Sequence, residues 1–146
     1  MLEKNDKKEM IDFGKVIDDK IKIISIFSGS RSSEVDVLLP ILLEFIKIMK
    51  EKYNDVYFYF HATNENNQII KDKILKENLK NCEVITDENI KSYILRKSKF
   101  AITKSGTVSL EVCNANVPSV IIYKMNMINF FIVKMLVKVK FANIIN

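Results

Sequence analysis

The stretch IISIFSGSRSSEV, residues 23–35, changes character at its middle residue, Gly29. Its first half is a β-branched apolar run, which is typical of a strand buried on both faces of a parallel sheet. Its second half is small and polar, and a helical pattern of apolar residues follows it directly. The stretch therefore predicts a buried strand, a tight polar turn and a helix.

The same unit repeats along the chain. Further strand-like runs occupy residues 56–62, 82–86, 99–103 and 119–123, and helical patterns lie between them, the later ones over residues 64–79, 88–97 and 107–116. Short connections between strictly alternating elements require parallel strands joined by crossover helices. We therefore predict an α/β fold, an open parallel sheet with flanking helices of the Rossmann-like kind. Residues 1–20 are polar and weakly patterned, so they are predicted to be a linker before a domain that spans residues 21–146.

The composition is that of a single globular domain, and its basic residues bear on whether the partner is a nucleic acid. A chain of 146 residues with 48% hydrophobic and 28% charged residues suffices for one globular core. The formal charge is +5, yet all but two of the 23 basic residues are lysines, spread along the chain among 18 acidic residues. Arginine, the residue that forks onto bases and phosphates, occurs only at Arg31 and Arg96. This pattern argues against a nucleic-acid partner.

Cysteine spacing and hydropathy indicate the compartment. Cys82 and Cys113 lie far apart and show no zinc-ligand spacing, so neither a metal site nor a disulfide framework is indicated. The N-terminus has no apolar signal-peptide core, and three lysines interrupt the apolar residues 127–141. These features predict a cytoplasmic protein whose last segment could rest on a membrane surface without crossing it.

Two polar clusters mark a candidate ligand site. The first holds Gly29 and Ser30, and the second holds Ser105, Gly106 and Thr107. Each follows a predicted strand, and in an open parallel sheet the ligand crevice lies at the carboxyl ends of the strands. Small residues before a helix leave its N–H groups open to a phosphate, and Arg31 would add a charge clamp for the anion.

Glu111 extends this interpretation to a nucleotide. It follows Ser105 by six positions, so its carboxylate would stand beside the phosphate site, where it can accept hydrogen bonds from a ribose diol. The fingerprints GxGxxG and GxxxxGK[ST] are absent, so a dinucleotide or P-loop site is not favoured. Plain helix capping stays open for either cluster alone, and so does a solvated helix position for Glu111. His61, the only histidine, is expected to pack or cap at a strand end.

Two segments resemble a known family. FSGSRSSEVDVLLP is similar to the "GSR-x-x-E…LLP" segment of the lipid-A-disaccharide synthases, which are glycosyltransferases of the two-domain GT-B type. KSGTVSLEVCNANVPSVIIYK is similar to that family's "SGT-x-x-LE…P-x-V-x-x-Y" segment, and "VKV-x-x-x-x-x-N" follows near the end of the chain. The resemblance runs from residue 23 to residue 146.

The resemblance implies a reaction. A 2,3-diacylglucosamine unit passes from its UDP donor to 2,3-diacylglucosamine 1-phosphate in lipid A biosynthesis, at the cytoplasmic face of the inner membrane. It implies no cofactor and no metal, because helix termini and Arg31 would stabilise the departing UDP.

The resemblance also implies eight donor-binding residues in two groups, namely Gly29, Ser30, Arg31 and Glu34, and Ser105, Gly106, Thr107 and Glu111. In the first group, Gly29, Ser30 and Arg31 would face the donor's phosphates or sugar, and Glu34 would support their loop. In the second group, the three small residues would hold the pyrophosphate, and Glu111 would hold the uridine ribose.

The family's acceptor domain has no counterpart in this sequence. Only about twenty residues precede the first strand, and the family's pattern continues beyond residue 146. The expectation is a C-terminal donor half, inactive alone, with no catalytic residue of its own; whether a separate chain supplies the acceptor domain stays open. Lys134 and Lys138 would place the last segment on anionic lipid, or that segment would pack on the acceptor domain. A non-catalytic nucleotide-binding module and a transferase of other UDP-sugars are the alternatives.

Overall fold

The computed structural model describes residues 21–122, in which strands and helices alternate strictly. The strands are β1 (Lys22–Phe27), β2 (Val56–His61), β3 (Cys82–Ile85), β4 (Phe100–Lys104) and β5 (Ser119–Ile122). The helices are α1 (Ser32–Lys52), α2 (Asn67–Lys76), α3 (Glu88–Lys97) and α4 (Val108–Asn114). The predicted α/β alternation is confirmed over this range. The predictions for residues 1–20 and for the segment with Lys134 and Lys138 lie outside the described residues.

All strands of the described sheet run parallel, in the order β3-β2-β1-β4-β5. The chain begins in the centre, moves outward to β3, and then crosses back to lay β4 beside β1. The loops after β1 and β4 therefore start side by side. The connection after β1 leads to β2 on one side of this point, and the connection after β4 leads to β5 on the other. Such a switch point opens a crevice at the carboxyl ends of the strands.

The sheet is buried on both faces, as the continuous apolar run of β1 requires. Ile24 and Ile26 pack with α1, α2 and the Phe58 and Phe60 side chains on one face. On the other face, Ile23 packs with Tyr59 of β2 and with residues of α3. Alternate residues of one strand thus belong to two hydrophobic cores, so a single β1 substitution affects one helix layer only.

Two helices differ in their bounds from the predictions. The helix expected from residue 64 starts at Asn67, because residues 63–66 form a turn in which the Asn66 N–H donates to the Thr63 carbonyl (3.2 Å). The helix expected over residues 107–116 covers only Val108–Asn114. It stops because Asn116 adopts a left-handed conformation, with φ of 54°. The Asp87 carboxylate caps α3, because it accepts from Asn89 N (2.9 Å) and Ile90 N (3.0 Å).

Candidate functional site

A cleft of about 750 Å³ opens at the carboxyl ends of the central strands. The loops after β1 and β4 form part of its rim, α3 and α4 contribute its sides, and the buried rings of Phe27 and His61 line it as well. Seven of the eight predicted donor-binding residues line this cleft, namely Gly29, Ser30, Glu34, Ser105, Gly106, Thr107 and Glu111. The exception is Arg31, which is exposed and does not line the cleft.

Glu34 joins the two polar loops. Its carboxylate accepts hydrogen bonds from the backbone N–H groups of Ser30 (3.2 Å) and Arg31 (3.4 Å) in the loop after β1. The same carboxylate forms an ion pair with Lys104, the last residue of β4. The ammonium group of Lys104, with help from the two N–H groups, holds the pKa of Glu34 below its ordinary value of 4.5. Those two N–H groups are thus already used, so a phosphate near this helix would meet the negative charge of Glu34.

Gly29 has a conformation and a position that exclude side chains. Its φ is +110°, a region that L-residues rarely adopt. A Cβ atom built on Gly29 would lie 2.6 Å from the Glu34 carboxylate and 2.8 Å from its Cβ. Gly106 has φ of +149°, but a Cβ atom there would meet nothing within 4 Å. The first glycine therefore makes room for Glu34, whereas the second leaves the cleft side of its loop open.

The cations of the cleft differ from the sequence prediction. Lys91 and Arg96 of α3 line the cleft together with Lys104. Lys91 forms an ion pair with Glu88 (2.8 Å), and the Arg96 guanidinium donates to the Ser92 carbonyl (3.2 Å) and hydroxyl (3.3 Å). Within residues 21–122, Arg96 makes no ion pair with a carboxylate. Arg96 rather than Arg31 is the guanidinium that the fold brings to the cleft.

His61 lies at the end of β2 and is only 7% exposed. Its ring stacks on Phe27, with 4.2 Å between centroids and 26° between planes, which confirms the expectation that it packs. Its Nε2 is 2.8 Å from the Ser25 hydroxyl, which is 2.7 Å from the Ser98 hydroxyl. Burial, followed by the charge of Lys91, lowers the pKa of His61 to about 3. His61 is therefore an uncharged ring at neutral pH.

Within residues 21–122, the structure holds neither a metal-binding cluster nor a membrane-spanning helix. No group of three or more His, Cys, Asp or Glu residues is placed to hold a metal ion within residues 21–122. None of the four described helices is both long enough and apolar enough to span a membrane. Both cysteines are free thiols, and burial raises the pKa of Cys82 to about 11, so that thiol stays protonated.

The sequence of this chain matches one protein family over its whole length. The family model described as "Lipid-A-disaccharide synthetase" matches residues 1–146. The chain belongs to the lipid-A-disaccharide synthetase family. Lipid-A-disaccharide synthase of Rickettsia canadensis is 32% identical over 130 residues, which cover 89% of this chain and 33% of the relative. That of a Sulfurihydrogenibium species is 32% identical over 133 residues, or 86% and 34% of the two chains. The chain thus spans about a third of the length of these curated relatives.

Solved structures show the same fold for this synthetase-family chain. UDP-GlcNAc 2-epimerase from Neisseria meningitidis, bound to UDP-GlcNAc, superposes with a TM-score of 0.63 at 21% identity, over 96% of this chain and 38% of the epimerase. Heptosyltransferase II of Escherichia coli superposes with a TM-score of 0.57 at 11% identity, over 84% and 38% of the two chains. These similarities confirm the prediction of a Rossmann-like half of a GT-B glycosyltransferase fold.

Proposed function

We propose that this chain forms the donor-binding part of a lipid-A-disaccharide synthase. The reaction transfers 2,3-diacylglucosamine from its UDP donor to 2,3-diacylglucosamine 1-phosphate. The observation that carries the proposal is the cleft at the β1/β4 switch point, where two small polar loops, Glu111 and three cations meet. Family membership supplies the reaction, and the epimerase of the same fold was solved with UDP-GlcNAc bound.

In this proposal, the pyrophosphate of the donor binds to the loop over Ser105, Gly106 and Thr107. A left-handed glycine with open space around it lets a phosphate approach the backbone closely. Arg96 and Lys91 line the same cleft from α3, and the guanidinium has no carboxylate partner among residues 21–122. The loop after β1 serves the donor differently, because Glu34 occupies its N–H groups and repels a second anion. Contact of Gly29, Ser30 or Arg31 with the donor remains a prediction.

In this proposal, Glu111 binds the ribose of the donor. This side chain is exposed at the cleft on α4, within two helical turns of the pyrophosphate loop. An ionised carboxylate offers only acceptors, so it can accept both hydroxyl protons of a ribose 2′,3′-diol. Arg96 and Lys91, which line the same cleft, offset the negative charges that Glu111 and the pyrophosphate bring together.

The cleft stabilises a leaving group more than it activates a nucleophile. When the glycosidic bond to UDP breaks, negative charge grows on the pyrophosphate, and fixed cations stabilise that charge without a metal. His61 is neutral and bonded to Ser25, and the carboxylates Glu34 and Glu88 are both ion-paired. We assign the base that deprotonates the acceptor hydroxyl to the acceptor-binding part of the enzyme and not to residues 21–122. The acylated acceptor would bring the assembled enzyme to the inner face of the membrane.

The proposal is tested by competition among donors on the purified chain. Three competitors are titrated against a bound fluorescent UDP probe: UDP-2,3-diacylglucosamine below its micellar concentration, UDP-N-acetylglucosamine, and ADP. Displacement by both UDP-sugars but not by ADP supports a UDP-sugar site, and stronger displacement by the acylated donor supports the lipid A reaction. Addition of the acceptor domain of a relative with the monosaccharide acceptor then yields disaccharide. UDP-sugar binding without transfer in that mixture would instead support the non-catalytic module.

A further inference from the structure

Three side chains from three elements form a buried hydrogen-bond relay beneath the cleft. Ser98, which follows α3, donates its hydroxyl proton to the Ile94 carbonyl over 2.8 Å. The Ser98 oxygen lies 2.7 Å from the Ser25 hydroxyl of β1, and that oxygen lies 2.8 Å from His61 Nε2. Ser25, His61 and Ser98 are 0%, 7% and 8% exposed. Water therefore has little access to supply alternative partners.

The relay has one consistent direction. A serine hydroxyl carries one proton, and that of Ser98 is committed to the Ile94 carbonyl. Ser98 must then accept from Ser25, and Ser25, whose proton is now used, must accept from His61. The proton of the neutral imidazole is consequently on Nε2. The other nitrogen, Nδ1, is left with a lone pair and no proton.

Nδ1 is the unused atom of this arrangement. Among residues 21–122, the hydrogen bonds of the His61 ring involve only Nε2, and the ring lines the cleft. Phe27 supports one face of the ring, so the imidazole is held in orientation as well as in tautomer. Such a group accepts a hydrogen bond and cannot donate one, which lets it discriminate between ligands by their donors.

We propose that His61 is a specificity-determining residue whose Nδ1 accepts a hydrogen bond from the imide N–H of a uracil base, and that Ser25 and Ser98 are positioning residues that fix its tautomer. The inference rests on the proposed UDP-sugar site. In that site Glu111 accepts from the ribose diol, and the other hydrogen-bond donor of UDP is the imide N–H of its base. His61 lines the same cleft with a group that can only accept, so Nδ1 matches that N–H.

Uracil and cytosine differ at N3, the atom that would contact such an acceptor. Uracil carries a proton on N3, whereas cytosine has a lone pair there, which would face the lone pair of Nδ1. A site that hydrogen-bonds one ligand rejects an isostere that leaves a buried group unpaired. A locked acceptor therefore favours UDP over CDP, although the two share their ribose and pyrophosphate.

Two substitutions of His61 distinguish the role of Nδ1 from that of Nε2. In His61→Gln, the amide nitrogen takes the place of Nε2 and keeps the bond to Ser25, but no acceptor remains at the position of Nδ1. In His61→Asn, the amide oxygen takes the place of Nδ1, and the bond to Ser25 is lost. Calorimetric titration of UDP, CDP and 3-methyl-UDP into the full wild-type chain and both variants measures the contribution of Nδ1.

The expected pattern is specific. The wild type binds UDP about tenfold more tightly than CDP and 3-methyl-UDP, since one hydrogen bond to a buried group is lost in each case. His61→Asn retains this preference, and His61→Gln binds all three ligands with the same affinity. Equal binding of UDP and CDP by the wild type overturns this inference alone, and so does an unchanged preference in His61→Gln. No UDP binding by the folded wild type overturns the proposed function and this inference with it.

The tautomer is tested independently of any ligand. Because the chain has one histidine, the imidazole ¹⁵N resonances need no assignment among residues. We expect the neutral Nε2–H form in the wild type and a mixture of tautomers in Ser25→Ala, which also loses preference for UDP over CDP. A wild-type ring protonated on Nδ1 overturns the inference even if UDP binds.

Discussion

Lys104 at the end of β4 forms an ion pair with Glu34 in the first turn of α1, 70 positions earlier in the chain. The pair spans the switch point between β1 and β4, where the two loops of the cleft start. Glu34 also accepts from two backbone N–H groups of the first loop. One carboxylate therefore links the two loops that line the cleft.

Neutralising Glu34 should lower stability in a pH-dependent manner. The pKa of Glu34 is lowered in the folded chain, so its contribution is present above the ordinary value of 4.5 and is lost as pH falls below it. Glu34→Gln should reduce the free energy of unfolding by about 1 kcal/mol at pH 7, the usual contribution of an acidic group at a helix N-terminus. Urea unfolding of both proteins at pH 7 and near pH 4 measures this. A difference that grows on acidification would contradict the ion-pair assignment.

Gly29 and Gly106 provide a matched pair for backbone strain. Both adopt positive φ, but only at Gly29 does a Cβ atom collide with another residue, the Glu34 side chain. Gly106→Ala should cost about 1 kcal/mol of unfolding free energy, and Gly29→Ala about 2–3 kcal/mol, because strain and overlap add there. Thermal unfolding monitored by circular dichroism compares the two variants. Equal losses would show that Glu34 moves aside freely.

His61 should make the chain sensitive to mild acid. The pKa of His61 is about 3 in the folded chain, below its ordinary value of 6.5. Between these two values the unfolded state binds a proton that the folded state does not bind. The contribution is intact above pH 6.5 and declines below it, by at most about 1.4 kcal/mol per pH unit. His61→Gln should therefore show a flatter decline of unfolding free energy between pH 6.5 and 4.5. Parallel curves for wild type and variant would mean that the ring is protonated in the folded protein.

Arg96 should act on the pyrophosphate alone. Arg96→Gln should weaken UDP binding about tenfold, in line with loss of one charge-assisted hydrogen bond, and should leave uridine binding unchanged. Lys97→Gln is the control, since Lys97 is the neighbouring exposed cation and does not line the cleft. Calorimetry with both ligands measures the effects. If both variants lose the same affinity for UDP, net charge rather than position determines binding.

Most of the fold was predictable because its signals are local. Strand-length apolar runs that alternate with helical stripes indicate parallel strands whatever the ligand is. The clusters at Gly29 and Ser105 were predictable as well, since small polar residues directly after such strands indicate loops at the carboxyl ends. Helix bounds were less predictable, as the turn before Asn67 and the left-handed Asn116 depend on particular backbone conformations.

The rest of the site depends on contacts between distant segments. Arg96 reaches the cleft because α3 crosses back to the centre of the sheet, and the sequence pattern around Arg96 is that of an ordinary helix end. The relay of Ser25, His61 and Ser98 joins residues 36 and 73 positions apart. Parallel register brings these side chains together, and register is set by the whole sheet rather than by the residues around each of them.

The most direct test of the donor site is a calorimetric titration of UDP into the purified chain, with ADP as the control ligand and Glu111→Ala beside the wild type. We expect saturable UDP binding by the wild type, with about tenfold weaker binding by Glu111→Ala, because the ribose diol loses a charged acceptor. ADP shares the ribose and pyrophosphate, so weaker ADP binding measures the contribution of the base. A wild-type chain that is folded by circular dichroism and binds no UDP would contradict the assignment of this cleft to the donor.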